Sequence, residues 1–144
     1  MQLRKFIESH GFYRVPLKKL LTGHYVFSAK INGVAGDFIL DTGASTSCIG
    51  FEEGLDFSLI SETSTIKAAG AGAINMETKF SRQNSFQMGQ WKISDMDFVL
   101  FDLSHVNEAL TQASEKSVHG IIGADFLKHH RAVIDYGRNC FYVK

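Results

Sequence analysis

In this 144-residue chain the side chain best placed for chemistry is Asp41. It follows Phe38-Ile39-Leu40, a continuous apolar run that predicts a strand buried on both faces. It precedes Thr42 and Gly43, where the chain must turn. A carboxylate at such a strand end stands where water is partly excluded, which favours its protonated form. Gly43 lets backbone or a bound molecule come close, and the hydroxyls of Thr42 and Ser45 are expected to lock the loop. On the residues alone two readings stand. One is a poised acid–base group; the other is an ordinary turn in which the aspartate bonds its own backbone.

Other reactive residue types have weaker settings. Ser45 and Ser47 lack an evident His–Asp partner set for nucleophilic catalysis. His129 and His130 are neighbours on an expected helix, so their rings diverge and do not share a metal; a solvated helix end suits them better. His119 reads as packing or a structural hydrogen bond, and Asp125 as the cap of a short helix. Gly70-Ala71-Gly72 lacks the lysine and helix start of a phosphate loop. Cys48 and Cys140 are too few for a disulfide framework or a four-cysteine zinc site, and are expected to be reduced thiols in the cytoplasm. No metal or cofactor is called for.

Composition narrows the class further. Fifteen basic side chains balance fifteen acidic ones, which argues against a nucleic-acid binder working through bulk positive charge. No apolar stretch reaches the roughly 18 residues of a membrane span. The opening Met1-Gln2-Leu3-Arg4-Lys5 has no secretory signal pattern. The length suits one domain, and thirteen Gly against one Pro, with twelve Phe, favour a turn-rich β fold.

The elements that must position Asp41 follow from pattern. Residues 2–9 predict a short helix with Leu3, Phe6 and Ile7 on one face, ended at Gly11. Residues 1–22 read as an extension packed on a domain spanning 23–144. Strand formers at 25–31 and the run at 34–40 flank Asn32-Gly33, a two-residue hairpin signal. A loop or helical turn is expected at 52–62. Strands at 63–69 and 74–80 flank the small residues Gly70 to Ala73, and Gly89-Gln90 marks another hairpin. Apolar residues alternate at Met96, Phe98 and Leu100, and Ser104 is the expected N-cap of a helix over 105–112. Val118 to Gly123 predicts a buried strand, 125–130 a short helix, and 132–143 a closing hairpin. The sum is an all-β chain with minor α, a single-domain closed or semi-closed barrel.

Leu40-Asp41-Thr42-Gly43-Ala44-Ser45 resembles the active-site loop of the retropepsin-like aspartic proteases. Gly120-Ile121-Ile122-Gly123-Ala124-Asp125-Phe126-Leu127 resembles their second signature, a hydrophobic-hydrophobic-Gly segment and helix buttressing that loop. The hairpin carrying Ala69, Gly70, Ala71, Gly72 and Ala73 stands where the family has its flap. The likeness covers about residues 24–144, and the extension before it looks like the lead-in of bacterial members. It implies an acid-protease barrel with a flap and a short C-terminal helix. It also implies a catalytic Asp41, supported by Thr42, Gly43, Ala44 and Ser45 and buttressed by Ile121, Ile122 and Gly123.

Peptide hydrolysis of this kind needs two carboxylates around one water, and the chain has one Asp-Thr-Gly. The resemblance therefore implies a cytoplasmic homodimer acting on peptides, with Asp41 from each subunit and Thr42 bonding across the interface. Ala44 replaces the hydroxyl common in pepsin-like members, which is expected to move the pair's titration toward neutral pH. Retroviral members build much of the dimer sheet from terminal strands. Here Cys140–Val143 ends the closing hairpin, which points to a differently built or weaker dimer. A noncatalytic dimerisation or peptide-binding module on the same fold is the rival reading, and self-processing before His24 a third.

Overall fold

A computed structural model of the chain describes residues 2–63, 68–70 and 73–144. In chain order its elements are α1 (Leu3–Ser9), β1 (Tyr13–Pro16), β2 (Lys18–Lys19), β3 (Tyr25–Ile31), β4 (Val34–Leu40), β5 (Cys48–Gly50), β6 (Ser61–Thr63), β7 (Ala68–Gly70), β8 (Ala73–Met76), β9 (Lys79–Met88), β10 (Trp91–Phe101), α2 (Ser104–Gln112), β11 (Gly120–Ile122), α3 (Ala124–His129), β12 (Val133–Asp135) and β13 (Cys140–Val143). Single 3₁₀ turns occupy Leu55–Phe57 and Tyr136–Arg138.

The chain is mostly β, with a closed six-stranded barrel. Hydrogen-bonded neighbours run β3-β4-β11-β5-β10-β9, and β9 closes the ring by pairing Lys30 with Gln87 and Ile31 with Phe86. Strands β2 and β6 hang from this ring as edges. Closure removes exposed strand edges and encloses an aromatic core of Phe27, Phe38, Phe57, Phe86, Phe98 and Phe141, each at most 4% exposed. The rings of Phe86 and Phe126 meet edge-on at 5.4 Å, a favoured aromatic geometry.

Two hairpins form as their turns dictate. Asn32 and Gly33 both take positive φ, 50° and 85°, as a two-residue turn between twisted strands requires. Gly89 does the same between β9 and β10 at φ 58°. The alternation expected along β10 stops at its end, because Val99 and Phe101 are buried as well as Phe98 and Leu100. There β10 gains β5 as a second neighbour and packs on a second apolar cluster beneath α2. Ser104 is not the cap of α2. It is the first helical residue, and the Asp102 carboxylate accepts its N–H at 2.9 Å, a bond that holds Asp102 below the usual carboxylate range.

Residues 1–22 supply α1, β1 and β2. Strand β1 pairs with β13, Tyr13 opposite Val143 through Pro16 opposite Cys140, and β2 pairs with β3. Strands β1-β13-β12 make a separate three-stranded sheet whose inner residues Val15, Phe141 and Val143 join the barrel core. Its outer face is covered by α1, where Ile7 and Phe12 pack on Cys140 and Tyr142.

Candidate active site

Asp41 stands at the mouth of the barrel because β4 carries it there. The buried Phe38 and Ile39 anchor β4 between β3 and β11, and Leu40 lies level with Ile122 of β11. The Asp41 N–H donates to the Ile122 carbonyl at 3.0 Å, so the buttress strand fixes where the carboxylate begins. The loop then turns back on itself. Gly43 N–H donates to Asp41 Oδ1 at 2.9 Å, and Ala44 N–H to the Asp41 carbonyl at 3.2 Å. Asp41 is half-buried, whereas Thr42 and Gly43 are exposed beside it.

The lock on this loop is one residue pair that sequence reasoning placed elsewhere. The hydroxyls of Thr42 and Ser45 make no hydrogen bond among the described residues. Ser47 does the holding. Its Oγ donates to Asp125 Oδ1 at 2.7 Å and accepts the Gly123 N–H at 2.9 Å, while its own N–H donates to the Asp125 carboxylate at 3.0 Å. Asp125 is thus not primarily a helix cap. Gly123 occupies the cap position of α3, and the Asp125 carboxylate, which also accepts the Phe126 N–H at 2.8 Å, ties α3 to the loop. Bonds to an ionised acceptor are about twice as strong as neutral ones, so this tie outweighs the single neutral bonds around it. A third hydroxyl in Ser45-Thr46-Ser47, paired with an acid two residues past Gly123, was the available signal.

The buttress residues meet the loop closely. The Ala124 N–H donates to the Ala44 carbonyl at 2.7 Å. A methyl group added at Gly123 would lie 2.5 Å from that carbonyl oxygen, inside any tolerable contact, so only glycine fits. Ile122 is fully buried and Ile121 nearly so. Strands β7 and β8 form a hairpin of their own, Ala68 opposite Met76 and Gly70 opposite Ala73, separate from the barrel sheet. Of the expected flap tip, Ala69, Gly70 and Ala73 fall in this hairpin; Ala71 and Gly72, like residues 64–67 of the expected strand 63–69, lie outside the described residues.

Asp41 and Thr42 open onto a pocket of about 580 Å³, walled also by Leu40, Tyr25, Ile134 and Tyr136. The Tyr25 and Tyr136 rings stand 5.2 Å apart. Among the described residues Asp41 is the only carboxylate lining it. The remaining candidates have structural work. His119 Nδ1 accepts the Asp37 N–H at 3.0 Å and its ring packs edge-on against Phe57. His129 and His130 hold no metal set: no cluster of three or more ligating side chains exists among the described residues. The His130 ring is not a solvated helix end as expected: it meets Trp91 edge-on and Phe126 at a tilt, and burial there, with His129 beside it, lowers its proton affinity. Cys48 and Cys140 are free and buried. Burial pushes the Cys48 thiol up to about 12, so it stays protonated and is no nucleophile.

Residues 27–126 match the family model described as aspartyl protease. The chain belongs to the aspartyl protease family. No curated protein sequence matches it significantly. Among solved structures it resembles a retropepsin-like aspartic protease from Rickettsia conorii, with a TM-score of 0.58 and 13% identity over 92% of this chain and 90% of that one. It also resembles the retroviral protease-like domain of Ddi1 from Leishmania major, with a TM-score of 0.59 and 19% identity over 81% and 85% of the two chains. A third likeness is to the EIAV protease complexed with the inhibitor HBY-793, with a TM-score of 0.54 and 20% identity over 78% and 92%. At these identities the structures establish the retropepsin-like fold of this family member. No helix among its described residues is long and apolar enough to cross a membrane.

Proposed function

We propose that two copies of this chain form an aspartic endopeptidase, each lending its Asp41 to one active site. The observation that carries this reading is a lone half-buried carboxylate, held at a strand end by Ile122 and Gly43, in a pocket with no second carboxylate among the described residues. One such group cannot both take a proton from water and give one to a peptide carbonyl in the same step. Two at close range share a single proton and do both. The ionised member removes a proton from the water, the water attacks the carbonyl carbon, and the protonated member donates to the carbonyl oxygen. The carboxyl group that took the water's proton then gives it to the leaving nitrogen, the C–N bond breaks as the C=O re-forms and its hydroxyl proton returns to the other carboxylate, and the pair again shares one proton.

In this reading Thr42, exposed at the loop tip, bonds to the partner loop, and Gly43 leaves room for an extended peptide. The β7–β8 hairpin supplies the flap that closes on it. The chemistry needs carboxylates and water, without a cofactor. The two buried free thiols suit a reducing, cytoplasmic setting.

The test is Asp41→Asn, which keeps the shape and the Gly43 contact but removes the base. Cleavage of a peptide library by the wild-type chain is expected to vanish, at least about 10³-fold, while the melting curve and sedimentation stay unchanged. Equal turnover by both proteins would exclude this mechanism. A wild-type chain that binds peptides without cleaving them would point instead to a binding module on the same fold.

A further inference from the structure

Strand β11 has only three residues, yet it sets where Asp41 begins, because the Ile122 carbonyl at its end accepts the Asp41 N–H. The residue just before the strand pins its register. His119 makes two bonds to one residue of β4: its N–H donates to the Asp37 carbonyl at 2.8 Å, and its ring Nδ1 accepts the Asp37 N–H at 3.0 Å. From this clip the parallel pairing runs Gly120 with Phe38, Ile121 with Ile39 and Ile122 with Leu40, one step short of Asp41. On the other side the His119 carbonyl accepts the Gly50 N–H at 3.1 Å, which ties the clip to β5.

The ring sits in a shaped seat. Gly36 lies inside β4, where glycine weakens a strand, and a methyl group there would lie 3.3 Å from the ring's Cγ and Nδ1 and 2.8 Å from Phe57 Cζ. Phe57 meets the ring edge-on at 5.5 Å, and Phe38 lies tilted to it at 6.4 Å. A backbone N–H can only donate, so Nδ1 must present a lone pair, and the neutral ring carries its proton on Nε2. A charged ring would turn a second N–H toward the Asp37 N–H. Protonation and the clip therefore exclude each other. On the elements packed against the ring the titratable groups are Asp37 of β4, whose carboxylate accepts the Ser28 hydroxyl at 3.0 Å, Asp56 of the Leu55–Phe57 turn, and the Cys48 thiol of β5. None of them forms an ion pair with His119 among the described residues.

We propose that His119 is a positioning residue for Asp41 that acts only when uncharged, so that acid uncouples the buttress strand from the Asp41 loop. Its effect on turnover rests on the Asp41 reading above, and it adds the group that sets the acid side of the activity profile. Free imidazole takes its second proton at about pH 6.5, and the folded chain must open the clip to follow. The clip's contribution is full above that range and is lost as the pH falls through it. With the clip open, the register of β11 loses its first fixed point, and the Ile122 carbonyl no longer holds the Asp41 N–H in place.

Two substitutions in the full chain separate charge from shape. In His119→Asn the Oδ1 takes the place of Nδ1, accepts the same N–H and never charges. His119→Leu fills the seat without an acceptor. At about pH 7.5 the Asn variant is expected to match the wild-type kcat within about twofold, and the Leu variant to fall roughly tenfold with KM little changed. At about pH 5.5 the wild type is expected to fall at least about fivefold below the Asn variant, because the Asp41 pair's own titration is common to both. Hydrogen exchange of the Asp41 N–H, followed by NMR, reads the bond to Ile122 without turnover. It is expected to quicken in wild type relative to the Asn variant as the pH falls, and in the Leu variant at every pH. Superimposable pH profiles of wild type and the Asn variant, in turnover and in exchange, overturn the proposal. So does a Leu variant with wild-type kcat and wild-type protection at Asp41. A chain that cleaves no peptide yet shows the exchange difference keeps the His119 clip and sinks the Asp41-pair reading instead.

Discussion

At the residue scale the site depends on Ser47 as much as on Asp41. Asp41 projects into the pocket, but its loop is held from behind, by a hydroxyl that is fully buried and bonded to both Asp125 and Gly123. Ser47→Ala leaves the Gly123 N–H without its acceptor and removes the shortest bond to the carboxylate. Loss of one buried partner costs about 1–3 kcal/mol, because the orphaned group stays out of water. The thermal midpoint is expected to fall by several degrees. The same change loosens the tie between the Asp41 loop and α3, leaving only the backbone bonds from Ser47 N–H to Asp125 and from Ala124 N–H to Ala44, and on the proposed mechanism small misplacements of Asp41 are costly, so kcat is expected to drop roughly tenfold with KM little altered. Peptide kinetics at a temperature where both proteins are folded check this. A kcat equal to wild type would assign the Ser47–Asp125 pair to folding alone.

At the scale of elements, what could be read from the sequence was local. Asn32-Gly33 announced its hairpin because both residues tolerate positive φ, and Gly89-Gln90 did likewise. The apolar run before Asp41 announced a buried strand, since burial on both faces erases alternation. Strand β5 was not legible: three buried residues, Cys48–Gly50, are too few to show a period. Its place between β11 and β10 is a long-range fact. So are the three bonds of the Asn32 side chain, which gives its amide to Phe57 and Asn84 and accepts the Ser85 N–H. The site divides the same way: the Asp-Thr-Gly loop is local and readable, whereas the tie from Ser47 to Asp125, 78 residues on, leaves only a hydroxyl and an acid of the right types as its trace.

The N-terminal segment shows the consequence for a whole element. Strand β1 covers one side of β13, whose four residues are all fully buried, and Val15 enters the barrel core. Burying a valine contributes about 1.5–3 kcal/mol, and α1 adds Ile7 over Tyr142. Against a total stability of about 5–15 kcal/mol, deleting residues 1–16 is expected to abolish the cooperative melt. A truncated chain that melts within a few degrees of the full one, by calorimetry, would make the segment dispensable.

At the scale of the molecule, a site assembled from two identical halves obeys a mixing law that a self-contained site does not. Asp41→Asn alters only one carboxylate, so its subunits are expected to exchange freely with wild type. In an equal mixture, random pairing leaves about a quarter of the dimers with two intact aspartates, and activity per wild-type chain falls by about half. A larger excess of the variant suppresses it further, and dilution of wild type alone lowers specific activity once the concentration falls below the dimer constant. On the proposed Asp41 pair, both effects arise because one chain's pocket carries a single acid among its described residues and takes the other from its partner. The measurement is peptide turnover after overnight co-incubation, against wild type incubated with an inert protein. If the variant leaves turnover untouched at tenfold excess while sedimentation of labelled subunits shows that they have exchanged, each chain completes its own site, and the requirement for a partner's Asp41 is wrong.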